Sequence, residues 1–261
     1  MNATLVFPAA AAQMVMELRM QAISNNIANV GTTGFRRDVP VFASQIASGS
    51  KANSLGGAED PTGGKAVLPI PWFPVLDEMV IDFSQGPVQM TNNPLDIAID
   101  GKGFFQVDTP NGVRYTRNGA FKLSSEGQIV TQSGHPVLGE GGAITLPPGL
   151  VTIDEEGRIS VKGNDGGAPV QVDLLALVNI ETPSLMKREG DNLFELVGEN
   201  ATLFPQGRVR QGALEGANVD PITEMVAMIS AMRQYESLQK AIQGADDMAL
   251  KDVNQIGQLR A

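Results

Sequence analysis

Glycine divides this chain into three parts. Of its 29 glycines, only Gly244 and Gly257 lie outside the stretch Gly31 to Gly216. On either side of that stretch, apolar residues recur at helical spacing. A chain with long striped helices at its ends and glycine-punctuated strands in its middle reads as a subunit built to be assembled.

At the amino end, Leu5, Ala9, Ala12, Met16, Met20, Ile23, Ile27 and Val30 are spaced three or four apart, and Phe7, Ala11, Met14 and Leu18 form an adjoining stripe. That spacing predicts a helix with one wide apolar face. Asn25, Asn26 and Asn29, followed by Gly31 and Gly34, supply its stop, because glycine takes the left-handed conformation at little cost. The helix is expected to end near Val30. At the carboxyl end three start signals coincide: Asp220 to cap, Pro221 at the first helical position and Glu224 facing the positive end of the dipole. From there Met225, Ile229, Met232, Tyr235, Leu238, Ile242, Ala245, Ala249, Val253 and Ile256 advance by a mean of about 3.4 residues, close to the roughly 3.5 of a coiled coil. Isolated helices are marginal in water, so these stripes are expected to pack on each other or on other chains. Tyr235 places a hydroxyl on the seam that needs a polar partner.

Between the helices, Gln45 to Lys65 is rich in Ser, Ala and Gly and almost free of large apolar side chains. It reads as a flexible or partner-ordered linker, because it buries too little surface to offset the entropy of ordering. From Met79 to about Gln211, short alternating or apolar runs predict strands. The turns between them include Pro110 to Gly112, Asn118–Gly119, Ser125 to Gly127 and Glu155 to Gly157, which are expected to supply positive φ for tight hairpins. The expected fold is α+β: paired, coiled-coil-like N- and C-terminal helices and a central, mainly antiparallel β domain. The expected domains are a helical assembly domain of residues 1–44 with 215–261, a linker at 45–75 and a β-rich outer domain at 76–214.

A net charge of −10, a pI near 4.6 and the absence of any basic run exclude a nucleic-acid-binding surface. With no cysteine, a disulfide framework, a thiolate metal site and a cysteine nucleophile are excluded too. No run of about 18 apolar residues is present, so no membrane-spanning helix is expected. The first positive side chain is Arg19, preceded by Glu17, and a secretory signal is therefore not expected.

The first helix and its stop read SNNIANVGTTGF, Ser24 to Phe35. This resembles the amino-terminal signature of the flagellar axial family, the rod and hook proteins. The resemblance continues in DFSQGPVQMTNNPLDIAI (Asp82 to Ile99), GFFQVDTPNGVRYTRNGAFKL (Gly103 to Leu123) and LEGANVDPITEMVAMISAMRQYESLQKAIQ (Leu214 to Gln243). These four blocks, in the family order, sample both helices and the β middle. Within the family, Gly134 to Pro148 resembles proximal rod members more than distal ones. The resemblance implies a structural rod subunit in the periplasmic part of the flagellar basal body, exported unfolded through the flagellar type III apparatus without a cleaved signal peptide. It implies partners among other rod proteins and copies of the same chain, with the helices in an inner tube, the β domain in an outer layer, and torque for swimming carried through the assembly. A repeated heterologous interface of that kind propagates instead of closing. The assembly interface is expected at Met16, Met20, Ile23, Asn25, Asn26, Ile27, Asn29, Met225, Ile229, Met232, Leu238 and Ile242.

No catalytic, cofactor-binding or metal-binding residue is expected, and no cofactor. His135 is the single histidine and lacks a second ligand. Asp154, Glu155, Glu156, Asn164 and Asp165 lack the alternating oxygen ligands of a calcium loop and read as solvated turns. Gly101, Gly103 and the run Gly139 to Gly142 lack the Lys-Ser/Thr of a phosphate-binding loop. The alternatives are a distal rod protein, a rod-associated peptidoglycan hydrolase, or a β-rich binding module. Aromatic residues form 5% of the chain, with Trp72 the one tryptophan, and this disfavours a sugar-stacking hydrolase. A binding module leaves both terminal stripes without a purpose.

Overall fold

A computed structural model describes residues 3–45, 73–163, 167–198, 201–202 and 207–258. The protein is mostly antiparallel β with a helix near each end. The N-terminal helix, α1, runs Ala3–Ala28, and the C-terminal helix, α2, runs Pro221–Gln258. Both agree with the stripes and stops in the sequence. Among the described residues, no helix is long and apolar enough to cross a membrane.

Two compact units share the chain. One comprises Met1–Asn25, Asp38–Val80 and Ile222–Ala261; the other comprises Asn26–Arg37 and Ile81–Pro221. The first contains most of both helices and a two-stranded sheet of Arg37–Gln45 with Phe73–Asp82. Residues 46–72, the greater part of the expected linker, lie outside the described residues, and Phe73 already opens a strand.

The second unit is built on a six-stranded antiparallel sheet. Its order is Met186–Gly190, Leu193–Leu196, Gly112–Thr116, Phe104–Thr109, Leu177–Ile180 and Ala201–Thr202. A three-stranded sheet, Leu150–Ile153, Arg158–Lys162 and Val170–Leu174, accompanies it. Two short pairs join distant parts of the chain: Ile97–Asp100 with Arg208–Gln211, and Val88–Met90 with Ala213–Glu215.

The six-stranded sheet is packed on both faces: Phe105 and Leu177 enter the larger core, while Phe104 and Val178, the residues next to them, enter a second cluster, as the alternation of side chains along a strand requires. The larger core gathers Ile97, Ile99, Phe105, Phe121, Ile129, Val137, Ile144 and Ile159 among others, with Phe105 and Phe121 edge to face at 5.1 Å. A second cluster packs Phe104, Val178, Ile180, Met186 and Phe194 with Phe83, whose ring meets those of Phe104 and Phe194 at 5.7 and 5.4 Å. Gly112, Gly127 and Gly157 have positive φ at hairpin turns, as expected. Gly119 does not. There a Cβ would lie 1.6 Å from the Ile97 carbonyl oxygen, so the glycine is demanded by two backbones in close approach and not by a turn.

Candidate assembly surface and the buried joint

Along α2, the expected seam residues divide by exposure. Met225, Ile229 and Met232 are about half exposed, and Ile222 and Val226 beside them more so. Leu238 and Ile242 are partly buried. Between residues 221 and 244 of this helix, the covered side chains are Glu224 and Ala231. A shallow concavity of about 380 Å³, lined by Val226, Ile229, Ser230, Arg233, Gln234 and Ser237, runs along the same stretch. Contiguous apolar side chains left in water mark a surface for association.

On α1, Ile23 and Asn26 are buried, Met16, Met20, Ile27 and Asn29 are partly buried, and Asn25 is exposed. Asn25 Nδ2 donates to Asp38 Oδ2 at 2.8 Å, and Asn29 Oδ1 accepts from Thr32 Oγ1 at 3.2 Å. Both contacts are local to the helix end and the segment after it. The polar partner that Tyr235 needs comes from α1: its hydroxyl accepts from Gln13 Nε2 at 2.7 Å and donates to Glu17 Oε1 at 3.1 Å.

In the β unit, the residue run after α1 meets the run before α2 in a closely packed joint. Gly34 sits at φ +69°, where a Cβ would come 2.5 Å from the Asn118 backbone nitrogen, and its N–H donates to the Glu215 carbonyl at 2.8 Å. Phe35 packs with Ala217, Val219 and Val30. The Arg188 guanidinium lies 4.5 Å over the Phe35 ring and donates to the Arg36 carbonyl at 2.6 Å. Asn192 Nδ2 donates to the Thr33 carbonyl at 3.0 Å. The hairpin carrying Arg188 and Asn192 thus grips Thr33 to Arg36.

Beneath that grip lies an ion cluster. The side chains of Arg36 and Glu215 are 0% exposed, and Arg36 Nη2 donates to Glu215 Oε1 at 2.7 Å. Arg117 Nη1 reaches the other oxygen, Oε2, at 3.3 Å. Glu215 Oε1 also accepts the Gly86 N–H at 2.9 Å. Arg117 has further support from the Ile99 and Gly101 carbonyls, at 3.3 and 2.7 Å, and from the Phe104 ring at 5.2 Å. Burial pushes the Arg117 guanidinium down to about 10; attraction to Glu215 opposes that shift, and repulsion from Arg36 adds to it. Next to the cluster, Asn218 accepts from the Arg37 N–H at 2.8 Å and donates to the Asp82 carbonyl at 2.7 Å. Partial burial pushes the Asp82 carboxyl up, but hydrogen bonds from Ser84 and the Arg37 and Arg36 charges hold it below its ordinary value.

Arg36, Arg117 and Glu215 are not among the residues expected from the sequence. Each lies inside or next to one of the family-like blocks, but position in a block does not mark a charged residue as buried. Among the described residues, no group of three or more His, Asp or Glu side chains is arranged to hold a metal ion.

Three stretches match known families. Residues 9–36 match one described as flagella basal body rod protein, 98–161 the flagellar hook protein FlgE/F/G D1 domain, and 210–256 the flagellar basal body rod FlgEFG protein C-terminal. The chain is 34% identical over 253 residues to the flagellar basal-body rod protein FlgF of Caulobacter vibrioides, covering 95% of each chain. It is 34% identical to FlgG of Buchnera aphidicola subsp. Schizaphis graminum, covering 90% of this chain and 93% of that protein. It is 33% identical to FlgF of Escherichia coli, covering 89% and 90%. Arg36, Arg117 and Glu215 fall one in each matched stretch.

Proposed function

Since the chain belongs to the flagellar basal-body rod protein family, we propose that it is a structural subunit of the rod whose terminal helices carry the contacts of polymerisation. The observation that carries this reading is the row Met225, Ile229 and Met232, about half exposed in the single chain. A helix of 38 residues with such a row open to water gains apolar burial by meeting other helices. Met16, Met20, Ile23, Ile27, Leu238 and Ile242 extend the interface, with Asn25, Asn26 and Asn29 at its end. The bridge from Tyr235 to Gln13 and Glu17 supports a coiled-coil-like pairing of α1 with α2.

Within the rod, the proximal position is the one proposed, on the character of Gly134 to Pro148. This segment supplies Val137, Ile144 and Leu146 to the main core. The role is mechanical, without catalysis, and the subunit reaches the periplasmic side through the flagellar export apparatus. Its neighbours are other rod proteins and copies of itself.

Electron cryotomography of cells lacking the gene tests the placement. A basal body with its export machinery, a rod cut short at the proximal part and no hook is the expected image. A longer rod without a hook moves the subunit to the distal segment, and intact flagella overturn the reading.

A further inference from the structure

We propose that Glu215 is a latch: its ionised carboxylate seats the segment Thr33 to Arg36 on the β unit, and without that charge the segment comes free while the β core stays folded.

Two buried guanidinium groups, Arg36 and Arg117, share the single carboxylate of Glu215. The two cations are not equally dependent on it. Arg117 has two carbonyl acceptors and an aromatic face besides Glu215. The Arg36 side chain has one acceptor among the described residues, Glu215 Oε1, and its Nε and Nη1 are buried there without a partner. Removing the carboxylate therefore strands Arg36 first, because an uncompensated buried charge is expelled to water wherever the backbone permits.

The backbone around Arg36 permits it. Besides the ion pair, Thr33 to Arg36 is held by the Gly34 N–H on the Glu215 carbonyl, the Asn218 N–H on the Phe35 carbonyl, Asn192 on Thr33, Arg188 on Arg36, and the buried Phe35 ring among Val30, Ala217 and Val219. None of the main-core residues comes from this segment. The core can therefore persist when the segment leaves. Glu215 itself lies 179 residues after Arg36 and ends the strand Ala213–Glu215, the last before α2. The run after the first helix is thus seated by a charge delivered from the run before the second. This inference concerns the isolated chain and holds whether or not the chain polymerises.

The test uses the full-length Glu215→Gln variant, which keeps the side-chain shape and an acceptor for Gly86. The readout is amide hydrogen exchange at Gly34, whose N–H bonds to a backbone oxygen that the substitution leaves in place. The internal reference is the amides of Ile129, Val137 and Ile144, and Glu156→Gln on an exposed turn is the control. The expected result is exchange at Gly34 faster by roughly a hundredfold or more, with the three core amides unchanged. Trypsin cleavage after Arg36, closed in the parent chain, should open in parallel. Gly34 protected as in the parent overturns the latch. Loss of core protection in Glu215→Gln also overturns it, because the latch requires the core to stay folded. The triple variant Arg36→Met, Arg117→Met, Glu215→Leu, which removes all three charges at similar volume, tests the cause: Gly34 protected there assigns the release to the stranded Arg36 charge, as the latch requires, and Gly34 exposed there assigns it to packing and overturns the latch.

Discussion

Gly119 illustrates how a residue can be recognised from sequence for the wrong reason. Asn-Gly is a strong hairpin signal, because both positions accept positive φ. Here the glycine has an ordinary φ, and the Ile97 carbonyl passes where a side chain would begin. The Ile97 N–H also donates to the Gly119 carbonyl at 3.0 Å, so the two backbones cannot separate without losing a bond. Gly119→Ala should therefore lower stability by about 3 kcal/mol or more, at or above the upper end for overpacking. Gly134→Ala is the informative comparison, since nothing lies within 4 Å of a Cβ there and its cost comes only from the positive φ of 90°. Thermal melts of the two variants check the ranking. Arg36, Arg117 and Glu215 were hidden for a different reason. Opposite charges that meet across 179 and 98 residues leave no local periodicity to detect.

Elements were far more legible. Both helices were readable from spacing, stop and cap, because a 3.6-residue stripe and a capping residue are local properties. The strands of the middle were readable as strands, but not their order. The pairs Val88–Met90 with Ala213–Glu215 and Ile97–Asp100 with Arg208–Gln211 link segments that only the folded chain brings together. The strand Arg37–Gln45 and the first half of Phe73–Asp82, which was read only from Met79 onward, escaped notice because the Ser, Ala and Gly tract between them dominates the composition of that region. On α2 the consequence of legibility is a clean experiment. Ile229 is about half exposed, so Ile229→Asp should cost the single chain less than about 0.5 kcal/mol while placing a charge in the proposed seam. Swimming should be lost while the circular dichroism melt of the purified chain stays within a degree or two of the parent. Normal motility in this variant would remove α2 from the interface.

For the whole molecule, the two units differ in what stabilises them. The β unit has a large apolar core and a six-stranded sheet of its own. Along α2 between residues 221 and 244, the covered side chains are Glu224 and Ala231. Native-state exchange should reflect this difference. In a dilute monomer, amides of α2 beyond Met225 should exchange at least about a hundredfold faster than those of Ile129 and Val137, and the gap should narrow on assembly as folding couples to binding. Uniform protection along α2 in the monomer would mean that the helix needs no neighbours.

The ion cluster also has a mechanical meaning for a part that turns. Attraction between Arg36 and Glu215 depends on a contact of 2.7 Å whose strength falls steeply once its geometry is lost. Neither partner has a fallback in solvent while both stay buried. Such a fastening is stiff against small displacement and has no soft intermediate position, so under rising strain it should yield abruptly, more as a shear pin does than as a spring.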